Sequence, residues 1–424
     1  MTGSRDRHTG TGMAGKTDPI HFVAVDDDPM ILDAITSMLE AAGHRVTAFT
    51  DSKEAMEKMV ALAPDCVISD LMMPDIDGFQ LCKFVRGHED LADTIFIVLT
   101  AKSYEFDVNR AYEFGAHGFI RKPIVAATFL DKVNRILRDD IELSFWGVRG
   151  TLPVSGEGSL KYGGNTNCVT LQFPRDQIFI FDGGTGIKTF GDKLMANGRR
   201  NIRGRIFISH PHWDHINAIP FFAPLYRQGN EFQILGANQG DISIREIISA
   251  QMDGVYFPIT LKEFAARVYF RDLEEEEFEV DGIRVKTKLL SHPGQCLGFR
   301  IEYNGRAICY VTDNEMFLEN SDGYNPHYEE KLAEFVMGAD VLITDSTYTD
   351  AEYATKVTWG HSCISKVVEL ADRGKVKTLY LYHHDPDQDD AAIDAKLEMA
   401  QTLLKERGSD TICIAPKERD TFYI

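Results

Sequence analysis

The chain has 424 residues, 44% of them hydrophobic and 26% charged, which suits two or three globular domains with sizeable cores and excludes a fibrous or low-complexity chain. Its formal net charge of -20 opposes nucleic-acid phosphates except at a local basic face, and the basic runs are short pieces such as Arg199-Arg200, so neither DNA nor a large RNA is expected as a partner. The 7 cysteines are scattered without a C-x-x-C pair, which implies free thiols in the reducing cytoplasm.

Residues 1–18 are polar and lack the apolar stretch of a signal peptide, so a disordered tail is expected there. No apolar run is long enough to span a bilayer, and no membrane partner is expected. Phe22-Val-Ala-Val25 predicts a strand ended by Asp26-Asp27-Asp28-Pro29, with Asp28 capping a helix that has Pro29 at its first position. Arg45–Phe49 predicts a second strand and Ser52–Leu62 an amphipathic helix. Cys66–Ser69 is a third strand that delivers Asp70 at its end. Ile95–Leu99 is a fourth, ending in Thr100, and Gly118-Phe119-Ile120 a fifth, ending before Lys122-Pro123. Alternating strands and helices imply a parallel, doubly wound sheet, whose ligands gather beyond the carboxyl ends of the strands. Asp26, Asp27, Asp70, Thr100 and Lys122 all fall there. Clustered carboxylates call for a hard cation, and Thr100 and Lys122 can hold phosphoryl oxygens.

The motifs V-D-D-D-P, S-D-L-M-M-P-D-I-D-G, L-T-A and K-P together resemble the receiver domain of two-component response regulators, over residues 19–139. The resemblance implies a flavodoxin-like (βα)5 fold. It makes Asp70 the phosphoacceptor, with Asp26, Asp27 and Asp70 around Mg²⁺. Thr100, Lys122 and Phe119 become the switch residues, and a sensor histidine kinase or phosphotransfer protein the partner. Ala127–Asp140 reads as the last helix of this domain, with Phe129, Leu130, Val133 and Leu137 on one face. Ile141–Phe145 then starts the next domain, 140–424, with no Gly/Ser/Pro linker between.

The second domain opens with two glycine-rich turns, Phe145-Trp-Gly-Val-Arg-Gly-Thr151 and Tyr162-Gly-Gly-Asn-Thr-Asn-Cys168. Arg149 and Asn165 there could fix loops or touch substrate. Ile178–Phe181 is a strand running into Asp182-Gly-Gly-Thr-Gly. Next comes Phe207-Ile-Ser-His-Pro-His-Trp-Asp-His-Ile216, an apolar strand breaking into an H-x-H-x-D-H turn. Alternate residues of extended backbone point the same way, so His210 and His212 can face one metal ion while Asp214 and His215 reach a second. Further along, His292, Asp313 and the pair His383-His384 each stand where an apolar run stops. Register favours His383 over His384 as a ligand, leaving His384 as a supporting or substrate-contacting residue.

These motifs resemble the W-G-V-R-G-[ST] subgroup of the metallo-β-lactamase-fold hydrolases. The resemblance implies an αββα sandwich with a dinuclear centre, so that the whole chain combines α/β and α+β domains. In the family's order, His292 joins His210 and His212, Asp313 bridges, and His383 joins Asp214 and His215, with Asp214 also orienting the reaction. Asp182 supports the metal loop. Zinc is the first expectation for both ions, with manganese or iron as alternatives. Val341–Thr344 leading to Asp345, together with Trp359-Gly-His361, resembles the acid/histidine dyad of the phosphodiesterase branch, which includes the tRNA 3′-processing endonucleases; there a helix from Ser362 follows. Asp345 would orient His361 as general acid. The reading is a response regulator whose output is a metal-dependent phosphodiesterase for a small phosphodiester such as a cyclic nucleotide, controlled through Asp70, with homodimer contacts as one route of control. Thioester or lactam hydrolysis, di-iron redox chemistry and a non-catalytic signalling module are the rival readings.

Overall fold

The computed structural model describes residues 19–101, 110–174, 177–196, 201–255, 257–319 and 321–424, so the expected tail at 1–18 lies outside the described residues. The chain divides into two compact units at Arg138 and Asp139. In the first, β1 (His21–Val25), β2 (Arg45–Phe49), β3 (Cys66–Asp70), β4 (Ile95–Thr100) and β5 (Gly118–Arg121) form one parallel sheet of order β2-β1-β3-β4-β5. Strands covered on both faces are apolar throughout rather than alternating, as Phe22–Val25 and Ile95–Leu99 are. Separate apolar clusters lie against the two faces. Asp28 accepts a hydrogen bond from the Met30 amide (2.9 Å), so the capping signal operates as expected. The last helix, Ala126–Arg138, buries Phe129, Val133 and Ile136, while Leu130 and Leu137 only flank that stripe.

The second unit is a sandwich of two seven-stranded sheets among the described residues. One contains β6 (Glu142–Gly147), β7 (Cys168–Gln172), β8 (Ile178–Phe181), β9 (Arg203–Ile208), β10 (Glu231–Ala237) and β11 (Arg267–Leu273). The other contains β12 (Glu277–Val280), β13 (Ile283–Leu289), β14 (Leu297–Tyr303), β15 (Arg306–Val311), β16 (Val341–Asp345), β17 (Thr378–Tyr382) and β18 (Ile412–Ile414). β19 (Thr421–Tyr423) closes the first sheet against β6. An aromatic core fills the space between the sheets, with Phe145, Phe181, Phe207, Phe299, Tyr310 and Tyr382 buried in it. Helices such as Gly186–Ala196 cover the outer face of the first sheet, and Pro326–Val336, Ile364–Arg373 and Asp390–Arg407 cover the second, giving four αββα layers.

β15, β16 and β17 are parallel neighbours, so the segments that follow them leave the sheet at one edge. Two local expectations change. The helix after His361 begins at Ile364 rather than Ser362, because the Ser362 hydroxyl is turned to the Asn314 carbonyl and the Met316 amide. His327 stands in a Gly/Asn/Pro-rich segment that predicts a surface loop, but it is exposed on the helix Pro326–Val336. Among the described residues no helix is long and apolar enough to cross a membrane.

Phe207 is the residue through which the core meets the functional loop. Its ring lies 5.0 Å from Phe179, 5.4 Å from Phe181 and 5.3 Å from Phe299, and its strand ends just before His210. Phe207→Ala should destabilise the second unit by about 3–5 kcal/mol. All 3 tryptophans lie in that unit, so urea unfolding followed by tryptophan fluorescence reads it alone.

Candidate functional site

In the first unit, Asp26, Asp27 and Asp70 bring carboxylate oxygens within 4.8 Å of one another. The Lys122 ammonium sits 2.8 Å from Asp26 and 3.0 Å from Asp70. Burial pushes the Asp70 carboxyl upward against the pull of Lys122. Burial would lower the Lys122 pKa, but hydrogen bonds and attraction to Asp26 and Asp70 outweigh it and raise it. Thr100 follows Leu99, which is paired with Asp70, so it stands at the same strand edge. The Phe119 ring lies 6.1 Å from Tyr112 and under the Arg121 guanidinium at 5.5 Å.

In the second unit two donor groups share one carboxylate. His210, His212, His292 and Asp313 form the first, and Asp214, His215 and His383 the second, each with ligand atoms within 4.8 Å of one another. His212 Nδ1 is 2.9 Å from His210 Nε2 and 3.2 Å from His292 Nε2. Asp313 Oδ2 faces His210 at 3.6 Å and His292 at 3.9 Å, whereas its Oδ1 faces His383 at 3.1 Å and His215 at 3.4 Å. Asp214 Oδ2 is 3.1 Å from His215 and 3.2 Å from His383. His212 lies in extended backbone, but Trp213–Ile216 closes a single helical turn that swings Asp214 and His215 to the second group.

Electrostatics fit this donor set to divalent ions. Burial lowers the pKa of His210, His212 and His292, which keeps their lone pairs available for a metal. Burial also opposes a charge on His215, yet Asp214, Asp313 and Asp182 outweigh it and raise its pKa well above the usual range. Burial pushes Asp214 and Asp313 upward, while the surrounding imidazoles hold both well below the carboxylate range. The carboxylates thus demand positive charge, which a divalent cation can supply.

Buried partners orient the donors. Asp182 accepts from the Ser209 amide (2.8 Å), the Tyr310 hydroxyl (2.7 Å) and His215 Nδ1 (2.8 Å), which turns His215 Nε2 toward Asp214. Asp214 Oδ2 accepts from the Thr151 amide (2.8 Å) and the Asn167 side chain (2.9 Å). Gly150 is required by close approach, since a Cβ there would lie 2.1 Å from the His383 ring. Arg149 is fully buried and donates to the carbonyls of Gly163 (3.0 Å) and Gln388 (2.5 Å), and Asn165 donates to Glu418 (2.8 Å), so both fix loops. His361 Nδ1 is 2.9 Å from Asp345 Oδ2 and 3.9 Å from Asp313 Oδ2. Burial would lower the His361 pKa, but Asp345 and the neighbouring carboxylates raise it to about 9.

Sequence reading did not single out Asn167, Thr347 or Lys396. Asn167 lay in the glycine-rich motif, where its signal was available. The Thr347 hydroxyl lies 2.6 Å from Asp345 Oδ1 and 2.8 Å from the His383 carbonyl, joining two loops. Lys396 is fully buried, with its ammonium 2.7 Å from the Ser346 carbonyl, 3.2 Å from that of Thr347 and 3.0 Å from His384 Nδ1. His384 therefore faces this lysine, whereas His383 faces Asp214 and Asp313.

Comparison with known proteins matches residues 22–134 to the response regulator receiver domain and residues 195–384 to the beta-lactamase superfamily domain. The chain is 35% identical over 117 residues to the DNA-binding dual master transcriptional regulator RpaA of Synechocystis sp., covering 28% of this chain and 48% of that protein. It is 31% identical over 163 residues to the transcriptional regulatory protein CseB of Streptomyces coelicolor, covering 38% of this chain and 66% of that one. The chain thus spans about half the length of most curated relatives it matches. In fold it is similar to the metallo-beta-lactamase fold protein YhfI from Bacillus subtilis, with a TM-score of 0.50 and 16% identity over 68% of this chain and 100% of that one.

Burial lowers the Lys396 pKa to about 7. Below that pH the lysine is protonated folded and unfolded, and the burial penalty is fully present. Between about 7 and the ordinary lysine value near 10.5, only the unfolded chain keeps the proton, so this residue makes stability rise with pH. The stability difference between wild type and Lys396→Met, measured by denaturant titration across that range, should change in wild type's favour as pH rises. A difference independent of pH would contradict the depressed lysine.

Proposed function

We propose that this chain, which joins a response-regulator receiver domain to a metallo-β-lactamase-fold domain, is a phosphorylation-controlled phosphodiesterase acting on a small phosphodiester such as a cyclic nucleotide. The observation that carries the reading is the convergence on Asp313 of two donor groups and the His361–Asp345 pair. His210, His212 and His292 would hold one divalent ion, Asp214, His215 and His383 the other, and Asp313 both. Zinc suits the imidazole-rich set, with manganese or iron as alternatives. Bound there, such ions supply a nucleophile at neutral pH and neutralise phosphoryl charge.

The chain's own residues supply the rest. Asp214, fixed by Thr151 and Asn167, orients the nucleophile's side of the site. His361 donates its Nδ1 proton to Asp345, so Nε2 is the nitrogen that gives a proton to the leaving oxygen. A pKa near 9 keeps that imidazole charged at neutral pH, as a general acid must be. As the new P–O bond forms and the old one breaks, the leaving alkoxide departs as an alcohol. The acid pair favours phosphodiesters over thioesters or lactams, and the net charge of -20 favours a small substrate over RNA.

The receiver domain implies phosphorylation by a histidine kinase or phosphotransfer partner at Asp70, where Mg²⁺ between Asp26, Asp27 and Asp70 would neutralise the carboxylates. Thr100, Lys122 and Phe119 would read the phosphoryl group. A covalent route outward follows from the chain itself. The last receiver helix ends at Arg138, and Asp139 is tied within the second unit to Tyr303 (2.8 Å) and Asn304 (2.7 Å). Those residues form the hairpin end from which β15 runs toward Asp313.

Elemental analysis and kinetics test the chemistry together. His212→Ala should lose metal and turnover of bis-p-nitrophenyl phosphate; two ions retained with full turnover would refute the assignment. His361→Ala should keep its metals and slow poor leaving groups most, by roughly 10²–10⁴-fold. Equal losses for good and poor leaving groups would make His361 a structural residue. For control, beryllofluoride should change turnover or oligomeric mass in wild type but not in Asp70→Asn. Asp139→Ala should keep basal turnover and lose most of the response, typically ~5–150-fold where such switches operate. A full response in Asp139→Ala would exclude this route.

A further inference from the structure

A buried carboxylate near the centre has no place in the chemistry above. Glu315 is 3% exposed and stands two residues beyond Asp313. Its Oε1 accepts from the Tyr353 hydroxyl (2.8 Å) and the Thr358 amide (2.7 Å), and its Oε2 from the Gly360 amide (2.7 Å). No lysine or arginine pairs with it among the described residues; neutral donors alone hold it, two of them backbone amides of one turn. Burying a carboxylate is costly unless such donors converge on it, so the turn and the carboxylate require each other.

The turn is strained. Thr358 has φ +73°, a left-handed conformation that is an outlier for a β-branched residue. Gly360 follows at φ +87°, and a Cβ there would lie 2.3 Å from His292 Nδ1. The Gly360 carbonyl instead is 2.9 Å from that nitrogen, and the next residue is His361. The segment bearing Glu315 is fastened to the same surroundings. Its own amide donates to the Ser291 carbonyl (2.8 Å), the Asn314 amide to Asp345 Oδ2 (3.2 Å), and the Met316 amide to the Ser362 hydroxyl (3.1 Å). One short stretch after the shared carboxylate therefore grips both members of the acid pair.

We propose that Glu315 is a positioning residue: it holds the strained Thr358–His361 turn so that His361 stays on Asp345, in register with Asp313. Its kinetic consequence rests on the phosphodiesterase reading; its structural consequence does not. Glu315→Gln keeps the shape but turns an amide donor toward at least one donor of the turn. The turn should relax and His361 lose its fixed geometry, with the metal donors left in place.

Two readouts test this. In ¹H NMR of the purified full chain, the downfield proton of the His361–Asp345 bond, assigned by its loss in His361→Ala, should vanish or broaden in Glu315→Gln. In kinetics, Glu315→Gln should retain its metals and lower kcat for poor leaving groups by about 10–100-fold, a part of the ~10²–10⁴-fold that acid catalysis carries. In the His361→Ala background the same substitution should add little, because both act through one imidazole. An unchanged downfield proton, metal loss, or additive rate losses would each overturn the proposal. Should Glu315→Gln fold poorly, the double variant Glu315→Gln/Thr358→Gly removes the left-handed strain and should recover both the fold and the downfield proton; no recovery would refute the role assigned to the strain. If wild type turns over no phosphodiester, the NMR arm still decides the positioning role, so the two readings fail separately.

Discussion

Asp313 is the group on which the second domain depends. It follows β15 at φ +44°, a conformation that lets its two carboxylate oxygens face different imidazole groups rather than one. A carboxylate so placed is tolerable in a buried site only if hydrogen-bond donors or positive charge meet both oxygens. The groups around it come from three other strand ends, those of β9, β13 and β17. Parallel pairing of β15, β16 and β17 puts the ends bearing Asp313, Asp345 and His383 side by side, and sheet packing brings β9 across from them. Because no single element holds the centre, its geometry is a property of the whole sandwich, and rigidity must come from behind.

That rigidity comes from buried polar groups whose hydrogen bonds cross from one loop to another. Asp182 collects hydrogen bonds from the β9 loop and from Tyr310 of the opposite sheet, so one carboxylate spans both layers. Thr347 and Lys396 tie the loop after β16 to the loop after β17. Arg149 does the same between the first glycine-rich turn and the segment after His384. Each would be a liability if one partner were missing, since an unmatched buried polar group costs roughly 1–3 kcal/mol. Together they confine the strand-end loops, which are ordinarily the softest parts of a fold.

The fold and the donor set were largely legible because both are written locally. Apolar runs that stop at Asp70, His210, Asp313 and His383 reveal strand ends without knowledge of the strands' neighbours. The supporting residues were not legible in the same way. Lys396 lies on a long helix among charged residues, where a lysine ordinarily reads as solvated, and only the packing of that helix reveals its burial. Arg149 sits in a glycine-rich turn from which it could fix loops or touch substrate, and only the folded chain shows its guanidinium donating to carbonyls. Glu315 follows the motif aspartate closely enough to be seen, but its partners lie more than thirty-five residues away. Side chains that contact a ligand leave periodic or clustered traces; side chains that brace other side chains leave none until the chain is folded.

The two donor clusters of this chain show how the same position in a sheet can carry different sets of side chains. Both stand at the carboxyl ends of strands, all parallel in front and, behind, parallel but for β13, where backbone groups and short loops converge. The front pocket uses oxygen donors and a lysine ammonium 2.8–3.0 Å from two of them, so any hard cation there competes with a fixed positive charge. The back pocket sets imidazoles beside its carboxylates, with no lysine or arginine paired to either among the described residues, and burial lowers the pKa of three of those imidazoles. Neutral nitrogen donors favour borderline ions that remain bound. Oxygen donors beside an ammonium in front, and imidazoles beside carboxylates behind, therefore give one chain two donor sets of different ion preference.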